Sequence, residues 1–124
     1  MRLGQTSFLI LFIEVNRKLA ALAVASGDRN EALQRANAAL EAGQKPGASP
    51  RLTAPRALAA MGFTYAALSR SGLRQPGDAR EAASWLQKCL ESWSAAQSDP
   101  AFGVNHRREM RDAEAALAAV ETRR

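Results

Sequence analysis

A six-residue phrase is used twice in this chain: Gly27-Asp28-Arg29-Asn30-Glu31-Ala32 and, fifty residues later, Gly77-Asp78-Ala79-Arg80-Glu81-Ala82. Each copy opens a run that closes alike, as Ala39-Leu40-Glu41 and Cys89-Leu90-Glu91. A turn, a capped helix start and a small residue at one fixed depth are repeated, which is how a chain builds helical hairpins that stack on one another. Composition points the same way: 47% of the residues are apolar but only 6% aromatic, and alanine supplies much of the remainder. Alanine is the strongest helix former, whereas a sheet would want more Val, Ile and Thr. The fold expected is all-α, a single domain of stacked antiparallel helical hairpins with about five helices, the last a capping helix.

Periodicity and punctuation divide the 124 residues. A first hairpin is expected over 7–43. Its first helix runs from Ser7 to Ala25, with Ile10, Ile13, Leu19 and Leu22 at three- and four-residue intervals. Its second is capped by Asp28 or Asn30 and carries Leu33, Ala36, Ala39 and Leu40. Gly43, Pro46, Gly47 and Pro50 mark a linker over 43–54. A second hairpin follows over 55–97. Thr53 is expected to cap its first helix, Ala54 to Ser71, with Pro55 in the first turn, where a missing N–H costs nothing. Gly62 lies mid-helix at a cost of about 1 kcal/mol, which implies close packing there. Asp78 is expected to cap the second helix, to about Gln97, with Glu81 as its capping-box partner. The core stripe of that helix is Ala82, Trp85 or Leu86, Cys89, Leu90 and Trp93. Pro100 and Gly103 end the unit, and a capping helix covers 104–122 with Met110, Ala113, Leu117 and Val120 inward.

These residues resemble the tetratricopeptide repeat, a two-helix unit. Met61-Gly62 and Tyr65 are similar to the Leu-Gly and Tyr positions of that unit's first helix, and Ala82, Leu86 and Cys89 to the small, large and small positions of its second. Leu19-Ala20, Ala23, Gly27, Ala32, Ala36 and Ala39 correspond more loosely. The chain departs from the family pattern in extra residues before Pro76, in the absence of Gly after Leu19, and in the absence of Pro after Leu40 or Leu90. The stretch from Arg56 through Trp93 to Val120 also resembles the C-terminal repeat regions of bacterial multidomain signalling proteins such as serine/threonine kinases. The resemblance implies a cytoplasmic protein–protein interaction or scaffold module whose shallow concave groove holds a peptide segment. In the matching register Glu14, Arg17, Ala21 and Val24 share the groove with Arg56, Ala59, Phe63, Ala66 and Arg70. Arg17, Arg56, Phe63 and Arg70 are its candidate partner-binding residues, the arginines pairing with carboxylates of an acidic peptide while the ring takes an apolar side chain.

Two other uses stay open. The run Phe8–Ile13 is six apolar residues followed at once by Glu14, far short of the roughly 20 needed to cross a bilayer. It therefore needs a protein neighbour. Phe8, Phe12 and Trp93 are the candidate surface for self-association as a homodimer. The net charge of +5 also has a location: between Ala42 and Gly77 stand Lys45, Arg51, Arg56, Arg70 and Arg74 with no acid, while basic and acidic residues balance elsewhere. Such a stretch could attract an anion or nucleic acid weakly, although its cations are sparse and poorly interleaved with aromatics.

Catalytic and metal chemistry find little support. One cysteine, Cys89, permits no internal disulfide, and with one histidine, His106, it makes a poor zinc set. Glu81 and Glu91 are about 15 Å apart along a helix and cannot share a proton. No catalytic residue, metal or cofactor is expected.

Overall fold

The computed structural model describes residues 2–45, 50–98 and 102–123. Five helices follow in order: α1 (Arg2–Ala25), α2 (Arg29–Ala42), α3 (Pro50–Ser69), α4 (Asp78–Ala96) and α5 (Val104–Arg123). Every regular element among the described residues is a helix. The turn expected at Pro46-Gly47 and the stop expected at Pro100 lie outside them.

Helix α1 pairs with α2 and α3 with α4; α3 also packs on α1 and α2, and α5 closes on α4 and α3. This is the expected stack of antiparallel hairpins with a terminal helix. Two cores run through it. Leu9, Ile13, Ala39, Ala42, Ala57 and Ala60 fill the space among α1, α2 and α3. Leu86, Cys89, Trp93, Ala113 and Val120 fill the space among α3, α4 and α5. Helix α3 feeds both, because alanines lie on more than one of its faces. Ala20, Ala32 and Ala82 are fully buried, so the two copies of the repeated phrase place their small residue at equal depth.

The glycines of that phrase share a conformation, with φ of +87° at Gly27 and +92° at Gly77, which L side chains adopt only under strain. Gly27 closes α1: its N–H bonds to the Val24 carbonyl and that of Asp28 to Ala23, the six-to-one, five-to-two pattern of a Schellman end. Asp28 then caps α2, accepting from the Glu31 N–H at 3.0 Å.

Gly62 has the close neighbour that its mid-helix position implies. A Cβ built there would lie 2.7 Å from Cγ and Cδ2 of Leu86 and 3.2 Å from the Leu86 nitrogen. Gly62→Ala should therefore destabilise by up to about 2 kcal/mol, overpacking of about 1–3 kcal/mol being partly offset by about 1 kcal/mol of helix propensity. Urea unfolding measures this, and a variant more stable than wild type would refute the close crossing of α3 and α4.

Several local expectations are corrected. Helix α1 begins at Arg2 rather than Ser7. Helix α3 begins at Pro50 rather than Ala54, so Pro50 takes the first-turn position that proline favours and Pro55 lies inside the helix. Thr53 does not cap it; fully buried, Thr53 donates its hydroxyl to the Gly43 carbonyl at 3.3 Å, where α2 ends against Ala57 with no room for a Cβ at Gly43. The linker is correspondingly shorter than 43–54. Asp78 is not the cap of α4 either. Gly77 holds that position, and the Asp78 carboxylate turns away to bond the Gln75 N–H and Arg29. Glu81 accepts from Trp85 Nε1 at 3.2 Å. A bidentate, charge-assisted pair outweighs a neutral capping bond.

Candidate functional site

Helices α1 and α3 run side by side and leave a concavity of about 220 Å³ between them, lined by Arg17, Ala21, Phe63, Thr64, Ala67 and Arg70. Positions 17 and 21 are one turn apart on α1; 63, 67 and 70 follow helical spacing on α3. The Arg17 guanidinium lies over the Phe63 ring, 4.3 Å from its centroid, within cation–π range. Arg17 also stands 3.9 Å from Glu14. Phe63 is half-buried and Arg70 exposed. The hollow is smaller than the roughly 300–1,000 Å³ of small-molecule pockets; it has room for a side chain.

Arg56 does not join them. Its guanidinium is buried between helices, donating to Glu109 of α5 at 3.0 Å and to the Leu52 carbonyl at 2.6 Å, with Glu14 of α1 at 3.9 Å. It lies 5.4 Å from the Trp93 ring centroid. The adjoining depression, lined by Glu14, Arg17, Arg56, Arg108, Glu109 and Asp112 among others, carries three cations and three carboxylates. Its charges cancel with Arg17 counted among them, so the net positive charge of these two hollows is that of Arg70.

The expected groove register is also shifted on α3. Ala59 and Ala66 are buried in the core beneath α5, and Thr64 and Ala67 take their places beside Phe63. With apolar residues on most sides of α3, sequence periodicity has no means of fixing its rotation. Two further contacts carry no local sequence signal: Glu109 as the acid for Arg56, and Asp78 as the acid for Arg29, at 2.8 Å to each oxygen.

Trp93 cannot serve as a self-association surface. It is 1% exposed, edge-on to Phe102 at 6.0 Å and tilted against His106 at 5.7 Å. The arrival of α5 covers it. Phe8 and Phe12 do reach the surface, their rings 6.5 Å apart.

Cys89 and His106 occupy different environments. Cys89 is fully buried and donates Sγ–H to the Pro55 carbonyl at 3.3 Å; burial pushes its thiol up to about 12, so little thiolate forms at neutral pH. His106 stacks on Phe102 at 5.6 Å and accepts the Gly103 N–H on Nδ1 at 2.9 Å. Among the described residues no three His, Cys, Asp or Glu side chains are placed to hold a metal, and no helix is long and apolar enough to cross a membrane.

Compared with protein-family models, curated proteins and solved structures, the chain matches none.

Proposed function

We propose that this chain is a tetratricopeptide-like interaction module that binds an acidic peptide segment across α1 and α3. The observation that carries this reading is the side-chain-sized hollow in which the Phe63 ring is flanked by Arg17 and Arg70. An apolar residue of the peptide enters against Phe63 and Ala67, and carboxylates on either side meet the two arginines. The resemblance to repeat regions of bacterial signalling proteins suits such a role, in the cytoplasm, as a scaffold or regulatory segment. Nucleic-acid binding is less well supported, because Arg56 of the acid-free stretch is already matched by acids within the fold.

The test is fluorescence anisotropy with short peptides that carry one leucine among aspartates or among neutral residues. The acidic peptides are expected to bind and the neutral ones not. Phe63→Ala combined with Arg70→Glu should weaken binding by at least about 30-fold, as for loss of an interface hot spot. Added salt should weaken binding without abolishing it, since the apolar contact is not screened. Equal affinity for acidic and neutral peptides, or no loss in the double variant, would overturn the reading.

A further inference from the structure

Helix α1 has three faces. Leu9, Ile13, Asn16, Ala20 and Ala23 are buried against the neighbouring helices. Ile10, Glu14, Arg17 and Ala21 line the concave side. The third face holds Phe8, Leu11, Phe12, Val15, Lys18 and Leu22, which at 100° per residue fall within about 120° of the helix circumference. It is bare: Phe8 is 63% exposed, Leu11 62%, Phe12 39%, Val15 45% and Leu22 64%. With aromatic side chains spanning about 150–250 Å² and aliphatic ones somewhat less, this leaves on the order of 500 Å² of apolar surface, at the upper end of the largest patch on a typical monomer. A helix apolar on both its inward and outward faces is one built to be covered on both.

We infer that this face pairs with the same face of a second copy, α1 against α1, to form a closed two-fold dimer. Three observations favour that occupant. Two such faces together bury about 1,000 Å², the size at which specific interfaces begin. The outward side of α5, at the other end of the stack, is mainly polar, with Arg107, Arg111, Glu114 and Glu121 exposed beside the large apolar residue Val104, so an apolar end finds its match in another apolar end and not in head-to-tail growth. The stripe is also self-complementary when antiparallel. A crossing centred on Val15 sets Phe8 against Leu22 and Phe12 against Lys18, whose stem covers the ring while its ammonium stays at the rim. A parallel pairing would oppose Lys18 to Lys18. A membrane surface is a poorer occupant, since this face and its borders offer Lys18 as their main cation where interfacial helices are rich in them.

Sedimentation equilibrium of the 124-residue chain tests this. Wild type is expected at twice its 13.3 kDa monomer mass. Leu11→Glu with Val15→Glu should be monomeric with unchanged helical circular dichroism, the dissociation constant rising at least about 100-fold because two charges from each copy would have to be buried unpaired. Should that pair disturb folding, Leu22→Glu at the far end of the stripe carries the same test. A monomeric wild type, or a dimer that survives these substitutions, overturns the inference. So does a chain that is monomeric in solution yet sediments with phosphatidylcholine–phosphatidylglycerol vesicles. Peptide binding at Phe63 should be unchanged in Leu22→Glu, which keeps this result separate from that of the groove.

Discussion

Asp78→Ala should remove about 3–5 kcal/mol of stability, the loss found when one partner of a buried ion pair is deleted. The Asp78 side chain is 4% exposed and accepts both Arg29 nitrogens at 2.8 Å and the Gln75 N–H at 2.8 Å. Arg29 donates in addition to the Leu73 carbonyl at 3.1 Å. The second copy of the repeated phrase is therefore held by the first, and the loop before α4 is tied to the start of α2. Removing the carboxylate leaves a largely buried guanidinium without its charge partner and a loop N–H without its acceptor. For a domain whose total stability is roughly 5–15 kcal/mol, that is a large share.

The same contact makes an acid-dependent contribution whose sign is fixed. The Arg29 hydrogen bonds and then the Gln75 N–H hold the Asp78 carboxyl below the usual carboxylate range, against the opposing effect of burial. A lowered native pKa stabilises the fold above the unfolded value of about 3.9. That stability is whole above about pH 5, fades as pH falls below the unfolded value, and is gone once pH passes below the lowered native one. Urea midpoints taken from pH 7 downward should fall more steeply for wild type than for Asp78→Ala. Parallel pH profiles, or a loss under about 1 kcal/mol at pH 7, would show that the pair does not hold the two hairpins together.

Trp93→Ala is expected to cost a similar amount, about 3–5 kcal/mol. The ring is the largest fully buried side chain, and it meets Phe102 and His106 at the start of α5 as well as the Arg56 guanidinium from α3. Truncation opens a cavity beneath α5 and removes the surface on which Arg56 lies before it reaches Glu109. The loss should therefore be uneven. Amide hydrogen exchange over Val104–Met110 should accelerate more than exchange in α1 and α2, whose core is a separate cluster. Uniform acceleration across all five helices would argue that α5 is no more dependent on Trp93 than the rest. Trp93→Phe, which keeps a ring in the cavity, should recover most of the loss.

Much of the architecture is written locally. The Gly27 and Gly77 turns, the Asp28 cap and the alanines at 20, 32 and 82 follow from backbone preference and from side chains too small to hold helices apart. Five helices and their pairing can be reasoned from those positions. Two identical Gly-Asp pairs nevertheless do different work: Asp28 caps its own helix, whereas Asp78 bonds an arginine forty-nine residues away. Pro50 and Pro55 are equally suited to a helix start by residue type, and the contact of Thr53 and Ala57 with Gly43 accompanies the earlier one.

The candidate site divides along the same line. Arg17, Phe63 and Arg70 are legible as residues at matching positions of two first helices, and they line one hollow. Arg56 has the same spacing and a different fate, because α5 brings Glu109 to it. Trp93 reads as a large aromatic on a stripe and lies buried for the same reason. Leu22 reads as part of the inward stripe of α1 and remains exposed, since α2 and α3 cover only one side of that helix. Sequence by itself determined helix content, turn placement and the small-residue contacts, all of which act through bonded neighbours or one helical turn. The tertiary structure decided the rotation of α3, the acid that each arginine meets and which aromatic rings see water, because those depend on what a distant segment brings into contact.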